Sequence, residues 1–355
     1  MDQRWKQLGD LLVNYSLAVK PGEKVMIAMT EVETYPLTLA VYEACIKSGA
    51  YPQVQFLSEE FNRLVLKFGG REQIDWVPEI EAYGMEWADV YLGLRGAHNL
   101  AALWDVPGDK LSALRCAMGT ISTMRWEKTR WCLVRVPNAA LAHQAGVDEQ
   151  TITDMFFDAC LQDWPTLSTK WQKWADLLGK GRHVRVVGKD TDLSFSVEGR
   201  SWEVFDGKLN MPDGEIATSP VETTVDGQIY FEFPGVMGGR LVDDIRLRWE
   251  NGRLAEALSS SNQDFLQAVV GSDPGASRIG EFAFGTNPAV KHFCRDILLD
   301  EKIGGTVHIA LGRAYSSTGG TNQSAIHWDI VKDVRKDGRV YLDGRLIFEN
   351  GNMLI

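Results

Sequence analysis

The tripeptide His327-Trp328-Asp329 sets an imidazole and a carboxylate two residues apart inside the apolar run 325–331. On a strand, residues i and i+2 share a face, so both groups would project from one side of a buried segment. Burying them is costly unless something compensates. A hydrogen bond between the two would do so, and so would a divalent cation held by both. A second apolar run, 305–312, carries His308; taken alone, such a histidine reads as a core residue bonded to a backbone carbonyl. Two glutamates each follow a glycine and precede an apolar residue, Glu215 in the stretch 212–217 and Glu281 in the stretch 280–285. A carboxylate placed where a tight turn enters a buried strand can aim inward. Together, two Glu, two His and one Asp match the oxygen and nitrogen ligand set of a dinuclear Zn, Mn or Co hydrolase site.

The elements that must position these residues change character along the chain. An amphipathic helix is expected over residues 3–18, with Trp5, Leu8, Leu11, Leu12 and Tyr15 at helical spacing. Strand-like runs at 25–29, 51–56, 88–92 and 131–136 then alternate with helical stretches at 36–47, 60–68, 73–83 and 110–124. Such alternation predicts a parallel sheet covered by helices. Neither glycine-rich phosphate fingerprint is present, which argues against a dinucleotide or nucleotide cofactor. From Val184 onward the pattern turns to short alternating runs separated by Asp206-Gly207, Asp213-Gly214, Asp226-Gly227, Asn251-Gly252, Asp337-Gly338 and Asp343-Gly344. These dipeptides suit tight hairpins, and a single helix is expected at 261–270. The expected fold class is thus α/β plus α+β. An N-terminal parallel-sheet α/β domain, residues 1–180, precedes a β-rich antiparallel catalytic domain, residues 181–355.

Composition narrows the function further. The 355 residues are 45% hydrophobic and 24% charged, as in soluble globular chains. A formal net charge of −11 repels phosphate backbones and anionic membranes, so nucleic acid and membrane surfaces are not expected partners. No apolar stretch approaches the ~20 residues of a membrane span, and the first residues do not resemble a signal peptide. A cytoplasmic location follows as an expectation. The five cysteines are widely spaced, with no C-x-x-C, and read as reduced, small core residues. The twelve tryptophans read chiefly as packing residues.

The stretch 210–222, the Gly280-Glu281 turn, the run His308-Ile309-Ala310-Leu311-Gly312-Arg313-Ala314-Tyr315 and His327-Trp328-Asp329 resemble, in order, the motifs of the aminopeptidase T family, which includes aminopeptidase S. Residues 12–17 and 20–25 are similar to that family's N-terminal segment, so the resemblance spans nearly the whole chain. It implies an exopeptidase that removes N-terminal residues from short peptides with two divalent metal ions, Zn, Co or Mn. Glu215, Glu281, His308, His327 and Asp329 would be the ligands, and either Glu215 or Glu281 would bridge the ions. Metal-activated water would be the nucleophile, with Glu215 and Glu281 also counted as catalytic. Tyr315 would be a catalytic phenol that donates a hydrogen bond to the oxyanion, the alternative being a buried tyrosine with a backbone partner. The resemblance also implies a homodimer.

An exopeptidase must recognise a free α-amine. Glu222, Asp243 and Asp244 are candidates for that, though each also reads as solvated surface. The segment Gly319-Gly320-Thr321-Asn322 reads equally as a loop lining the site or as a plain turn. The chain is shorter than the usual family members, with less sequence between His308 and His327. The same scaffold also resembles 2,5-dihydroxypyridine 5,6-dioxygenase, in which Glu281, His327 and Asp329 would hold a single Fe(II) and cleave a ring. That alternative leaves Glu215 and His308 without a role. The substrate under the main reading is a short peptide or another small amide.

Overall fold

The computed structural model describes residues 2–96, 103 and 105–355. The chain divides into two compact units, Met1–Leu161 with Gly207–Pro212, and Gln162–Asp206 with Asp213–Ile355.

The first unit is built on a parallel five-stranded sheet. Its strands run in the order Tyr51–Leu57, Lys24–Thr30, Val90–Arg95, Arg130–Arg135, Asn210–Met211. Val25 to Met29 are all buried, as befits a central strand covered on both faces. Helices Tyr35–Lys47, Glu59–Phe68 and Gly108–Lys128 lie where helical periodicity predicts them, within a few residues. The stretch expected as one helix over 73–83 is two, Arg71–Asp75 and Glu79–Trp87, because Pro78 disfavours a helical conformation at the residue before it. The first helix, Gln3–Leu11, passes into a wider turn at Leu12–Ser16 and ends before Ala18, whose φ is +44°. Cys45, Cys132 and Cys160 are buried, whereas Cys116 is exposed on its helix, which corrects its reading as a core residue.

The second unit opens with helix Trp164–Leu178 and is otherwise rich in antiparallel strands. One sheet has eight strands; another has five, in the order His327–Asp333, Thr306–Gly312, Ile279–Gly285, Glu215–Thr218, Glu203–Phe205. Asn251-Gly252 and Asp343-Gly344 make the expected hairpins, all four residues having φ between +50° and +79°. Asp226-Gly227 does not: it lies inside the strand Asp226–Tyr230, where a Cβ on Gly227 would collide with the Asp192 carbonyl. The expected helix is found at Gln263–Val270. Among the described residues, no helix is long and apolar enough to cross a membrane. The chain thus combines a parallel-sheet α/β region with antiparallel β-rich sheets, as expected.

Candidate metal centre

The five-stranded sheet gathers the sequence-predicted side chains by register. Ala310 stands opposite both Glu281 and Asp329, Gly312 opposite His327, Ala283 opposite His308, and Gly285 opposite Glu215. Directly opposed residues of an antiparallel pair share a face. All five polar residues therefore rise from one face, and each has an alanine or glycine opposite it on one side, although Val331 also stands opposite His308 and Phe205 opposite Glu215. Those small residues leave the space above the sheet to the polar groups. The other face is mostly apolar, carrying Val307, Ile309, Leu311 and Trp328, all buried, with Lys332 and Thr218 among them.

Glu281 owes its position to a bulge rather than to a turn before the strand. The register with Thr306–Gly312 shifts between Ile279 and Glu281, and a Cβ on the intervening Gly280 would collide with the carbonyl oxygens of Gly312 and Arg313. A bulge re-aims the side chain that follows it. Glu281 then spans the group: its Oε2 is 3.1 Å from His327 Nε2 and its Oε1 is 3.7 Å from His308 Nε2. His327 Nε2 is also 3.3 Å from Asp329 Oδ1, and His308 Nε2 is 3.6 Å from Glu215 Oε2.

Two further residues, which sequence reasoning missed, complete the cluster. Glu301 and Lys302 follow the short helix Ile297–Asp300, and the run Asp300-Glu301-Lys302 reads in sequence as a solvated charge run. Its only signal of burial is the apolar residues on both sides, Ile297 to Leu299 and Ile303. Lys302 is fully buried, with Nζ 2.7 Å from Glu301 Oε1, 3.1 Å from Glu215 Oε2 and 3.2 Å from Asp213 Oδ1. The atoms that could hold metal ions form two groups, Glu281 with His327 and Asp329, and Glu215 with Glu301 and His308, each lying within 4.8 Å of one another.

The electrostatics call for cations. His327 Nδ1 lies 2.8 Å from the Arg313 carbonyl and donates to it, so Nε2 faces the carboxylates of Glu281 and Asp329. A bare lone pair there would repel both oxygens; either a proton or a metal ion must lie between them. His308, 1% exposed, has an Nδ1 with no hydrogen-bond partner. Asp213, Glu215, Glu281, Glu301 and Asp329 supply five carboxylates against the one ammonium of Lys302. Four negative charges remain, the charge that two divalent cations would cancel. Without them, burial pushes Glu215 up to about 8; Lys302 pulls it back, and Glu281 and Asp213 add repulsion. Burial raises Glu301 to about 8 as well, again against the pull of Lys302. Burial disfavours the charged form of Lys302, but the surrounding carboxylates outweigh it and raise the ammonium well above its ordinary range. One lysine cannot neutralise several buried acids, so Glu215, Glu301 and Lys302 all shift upward. Glu281 goes the other way: burial opposes its ionisation, yet hydrogen bonds from His308 and His327 hold it down at about 2. The donor set, oxygen-rich with two imidazoles, fits divalent ions of the Zn, Mn or Co kind.

Residues 1–353 match the family described as thermophilic metalloprotease (M29). The chain belongs to this metalloprotease family. It is 25% identical to aminopeptidase AmpS of Bacillus subtilis, over 99% of this chain and 98% of the relative. It is 26% identical to aminopeptidase T of Thermus thermophilus, over 96% and 95%. The solved structure of AmpT from Thermus thermophilus superposes with a TM-score of 0.88 at 22% identity, covering 99% of both chains. That of 2,5-dihydroxypyridine dioxygenase from Pseudomonas putida covers 99% and 96% at 14% identity, with a TM-score of 0.60. The fold is that of AmpT, and the family and the curated relatives together support a metallo-aminopeptidase over a ring-cleaving dioxygenase. Membership in a metalloprotease family implies divalent metal ions and a peptide substrate.

The remaining residues singled out in the sequence of this metalloprotease fall into two sets. Tyr315 lies beside the cluster, its hydroxyl 3.4 Å from His327 Nε2 and its ring centroid 5.1 Å from that imidazole. Burial and then the nearby carboxylates, Glu281 foremost, push its phenol well above the ordinary range, so it stays a proton donor. By contrast, the candidates for amine recognition are engaged elsewhere. Glu222 pairs with Arg200 at 3.1 Å and accepts from Thr321 at 2.6 Å; Asp243 accepts from Ser261, and Asp244 from Tyr230 and Ser260. Asn322 donates to the carbonyls of Gly275 and Gly312, which ties down the loop preceding the His327 strand.

Proposed function

We propose that this chain hydrolyses the N-terminal peptide bond of short peptides, with two divalent ions held by Glu215, Glu301 and His308 on one side and by Glu281, His327 and Asp329 on the other. The observation that carries this reading is the buried cluster of five carboxylates with two imidazoles and only one fixed cation. In a protein of this family, bound ions would polarise the scissile carbonyl and make hydroxide available near neutral pH. Glu281, with one oxygen toward each histidine, is the bridging carboxylate in this proposal. Glu215 and Glu281 are the catalytic carboxylates, and the Tyr315 hydroxyl, with its proton retained, hydrogen-bonds to the oxyanion as charge develops. Catalysis is assigned to the β-rich domain, residues 181–355, which follows an α/β domain, residues 1–180, in the chain. Zinc, cobalt or manganese as the metal, a cytoplasmic setting and a homodimer belong to the same reading and rest on the family resemblance.

The test is amino-acid release from short peptides by chelator-stripped protein resupplied with Zn, Mn or Co. Metal-dependent cleavage confined to peptides with a free amine is the expected result. Cleavage of N-blocked peptides would overturn the exopeptidase reading. No release with any metal, together with oxygen consumption in the presence of Fe(II), would move the assignment to ring cleavage.

A further inference from the structure

The two ligand groups differ in one respect that bears on how they fill. Lys302 Nζ sits 3.1 Å from Glu215 Oε2, the same oxygen that faces His308 Nε2 at 3.6 Å, and 2.7 Å from Glu301 Oε1. An ammonium already occupies part of the electrostatic place of a metal ion there. An arriving ion must compete for those oxygens and then lie close to a buried positive charge that cannot leave, because Lys302 is 0% exposed and also held by Asp213. Among the described residues, no ion pair links a lysine or arginine to Glu281 or Asp329; their partners are the histidines. His327 is moreover fixed through its Nδ1 by the Arg313 carbonyl, whereas His308 Nδ1 has no such support. A ligand oriented by a hydrogen bond binds metal more tightly than one left free.

We infer that the two positions are unequal. Glu281, His327 and Asp329 form the tight, resident position; Lys302 makes the position of Glu215, Glu301 and His308 the weaker, exchangeable one. Lys302 is in this sense a positioning residue that sets metal affinity, and its ammonium keeps the acids of the second position from repelling one another before the ion arrives. The inference rests on the two-ion reading proposed above.

Cobalt(II) titration of the chelator-stripped full chain, followed by visible absorption and by calorimetry, tests it without reference to turnover. Two binding steps are expected, separated by at least about tenfold in affinity. His327→Ala should abolish the tight step and spare the weak one, while His308→Ala should do the reverse. Lys302→Met should tighten the weak step by at least about tenfold, a change in the direction that a merely damaged fold would not produce. Circular dichroism checks that this variant folds, and the wild type with the two histidine variants decides the order of filling without it. Two equal steps, an intact tight step in His327→Ala, or an unchanged or weakened second step in a folded Lys302→Met would each overturn the inference while leaving two ions in place. No cobalt binding by the wild-type chain would overturn the two-ion reading itself.

Discussion

Lys24–Thr30 of the parallel sheet and Thr306–Gly312 of the five-stranded antiparallel sheet are both seven-residue strands buried over most or all of their length. The first fills both faces with side chains that only pack: Val25, Ile27 and Met29 on one, Met26 and Ala28 on the other. The second packs with one face, through Val307, Ile309 and Leu311, and on the other carries His308 followed by Ala310 and Gly312. Burial alone therefore does not separate core from site. What separates them is a buried polar residue with a small neighbour on at least one side, Ala283 opposite His308, followed along its own strand by Ala310 and Gly312, so that space is left over for something other than side chains. In the parallel sheet no such space is left, and the strand contributes stability only.

Substitutions on the two strands should break along the same line. Glu281→Gln keeps the shape but removes a charge from the residue that spans the two ligand groups. We expect it to lower kcat/KM for peptide hydrolysis by about a thousandfold, or ~4 kcal/mol of transition-state stabilisation, and to weaken cobalt binding. Ile27→Ala, at a fully buried position of the central parallel strand, should do the converse. It should cost about 3 kcal/mol of stability in denaturant unfolding and leave cobalt affinity unchanged. If Ile27→Ala altered metal binding, or Glu281→Gln left activity intact, the division between a packing sheet and a working sheet would fail.

How far this was legible in the sequence follows the same division. The period-2 placement of His327 and Asp329 is a backbone property, so their shared face could be read directly, as could the alternation of strand and helix in the first half. Gly280 was visible as a marked position, but that it makes a bulge depends on Gly312 and Arg313 lying across from it, thirty residues away. Pro78 splits a helix that periodicity alone would run through. Glu301 and Lys302 were hidden for a stronger reason: three successive charged residues are normally solvated, and burial of Lys302 becomes tolerable once the carboxylates of Asp213 and Glu215, distant in sequence, join that of Glu301 around it. Local pattern reports which face a residue shares, whereas compensation between distant charges appears only once the chain is folded.

The charge cluster gives the working sheet a pH signature that the packing sheet lacks. In the metal-free protein Glu215 and Glu301 titrate near 8, against an ordinary 4.5 when unfolded. Between those values the folded chain holds more protons than the unfolded one, so stability falls as pH rises through that window. His308 and His327 are raised above their ordinary 6.5, and the stability they contribute at lower pH is likewise lost on the way up. Glu281, held near 2, acts only below the window, where its stabilisation fades as pH falls from 4.5. The melting temperature of the stripped protein should therefore drop by roughly 5 °C from pH 5 to pH 8. Saturating metal, which binds the deprotonated ligands, should remove most of that slope. A stripped protein whose melting temperature is flat across this range would show that the cluster is not the strained element it is taken to be.

The smallest expected effect is the most informative about where the working face ends. Tyr315 lies outside the sheet, on the segment between the His308 and His327 strands, and its hydroxyl reaches only to 3.4 Å from His327 Nε2. Two roles are compatible with that distance. If the phenol merely packs against the imidazole, Tyr315→Phe keeps the ring and loses almost nothing. If it donates to the oxyanion, the loss falls on the transition state: kcat should drop about tenfold, or ~1.4 kcal/mol, with KM and cobalt affinity unchanged. A change in cobalt affinity instead would make Tyr315 a support for the ligand His327. An unchanged kcat would confine the chemistry to side chains that rise from the sheet itself.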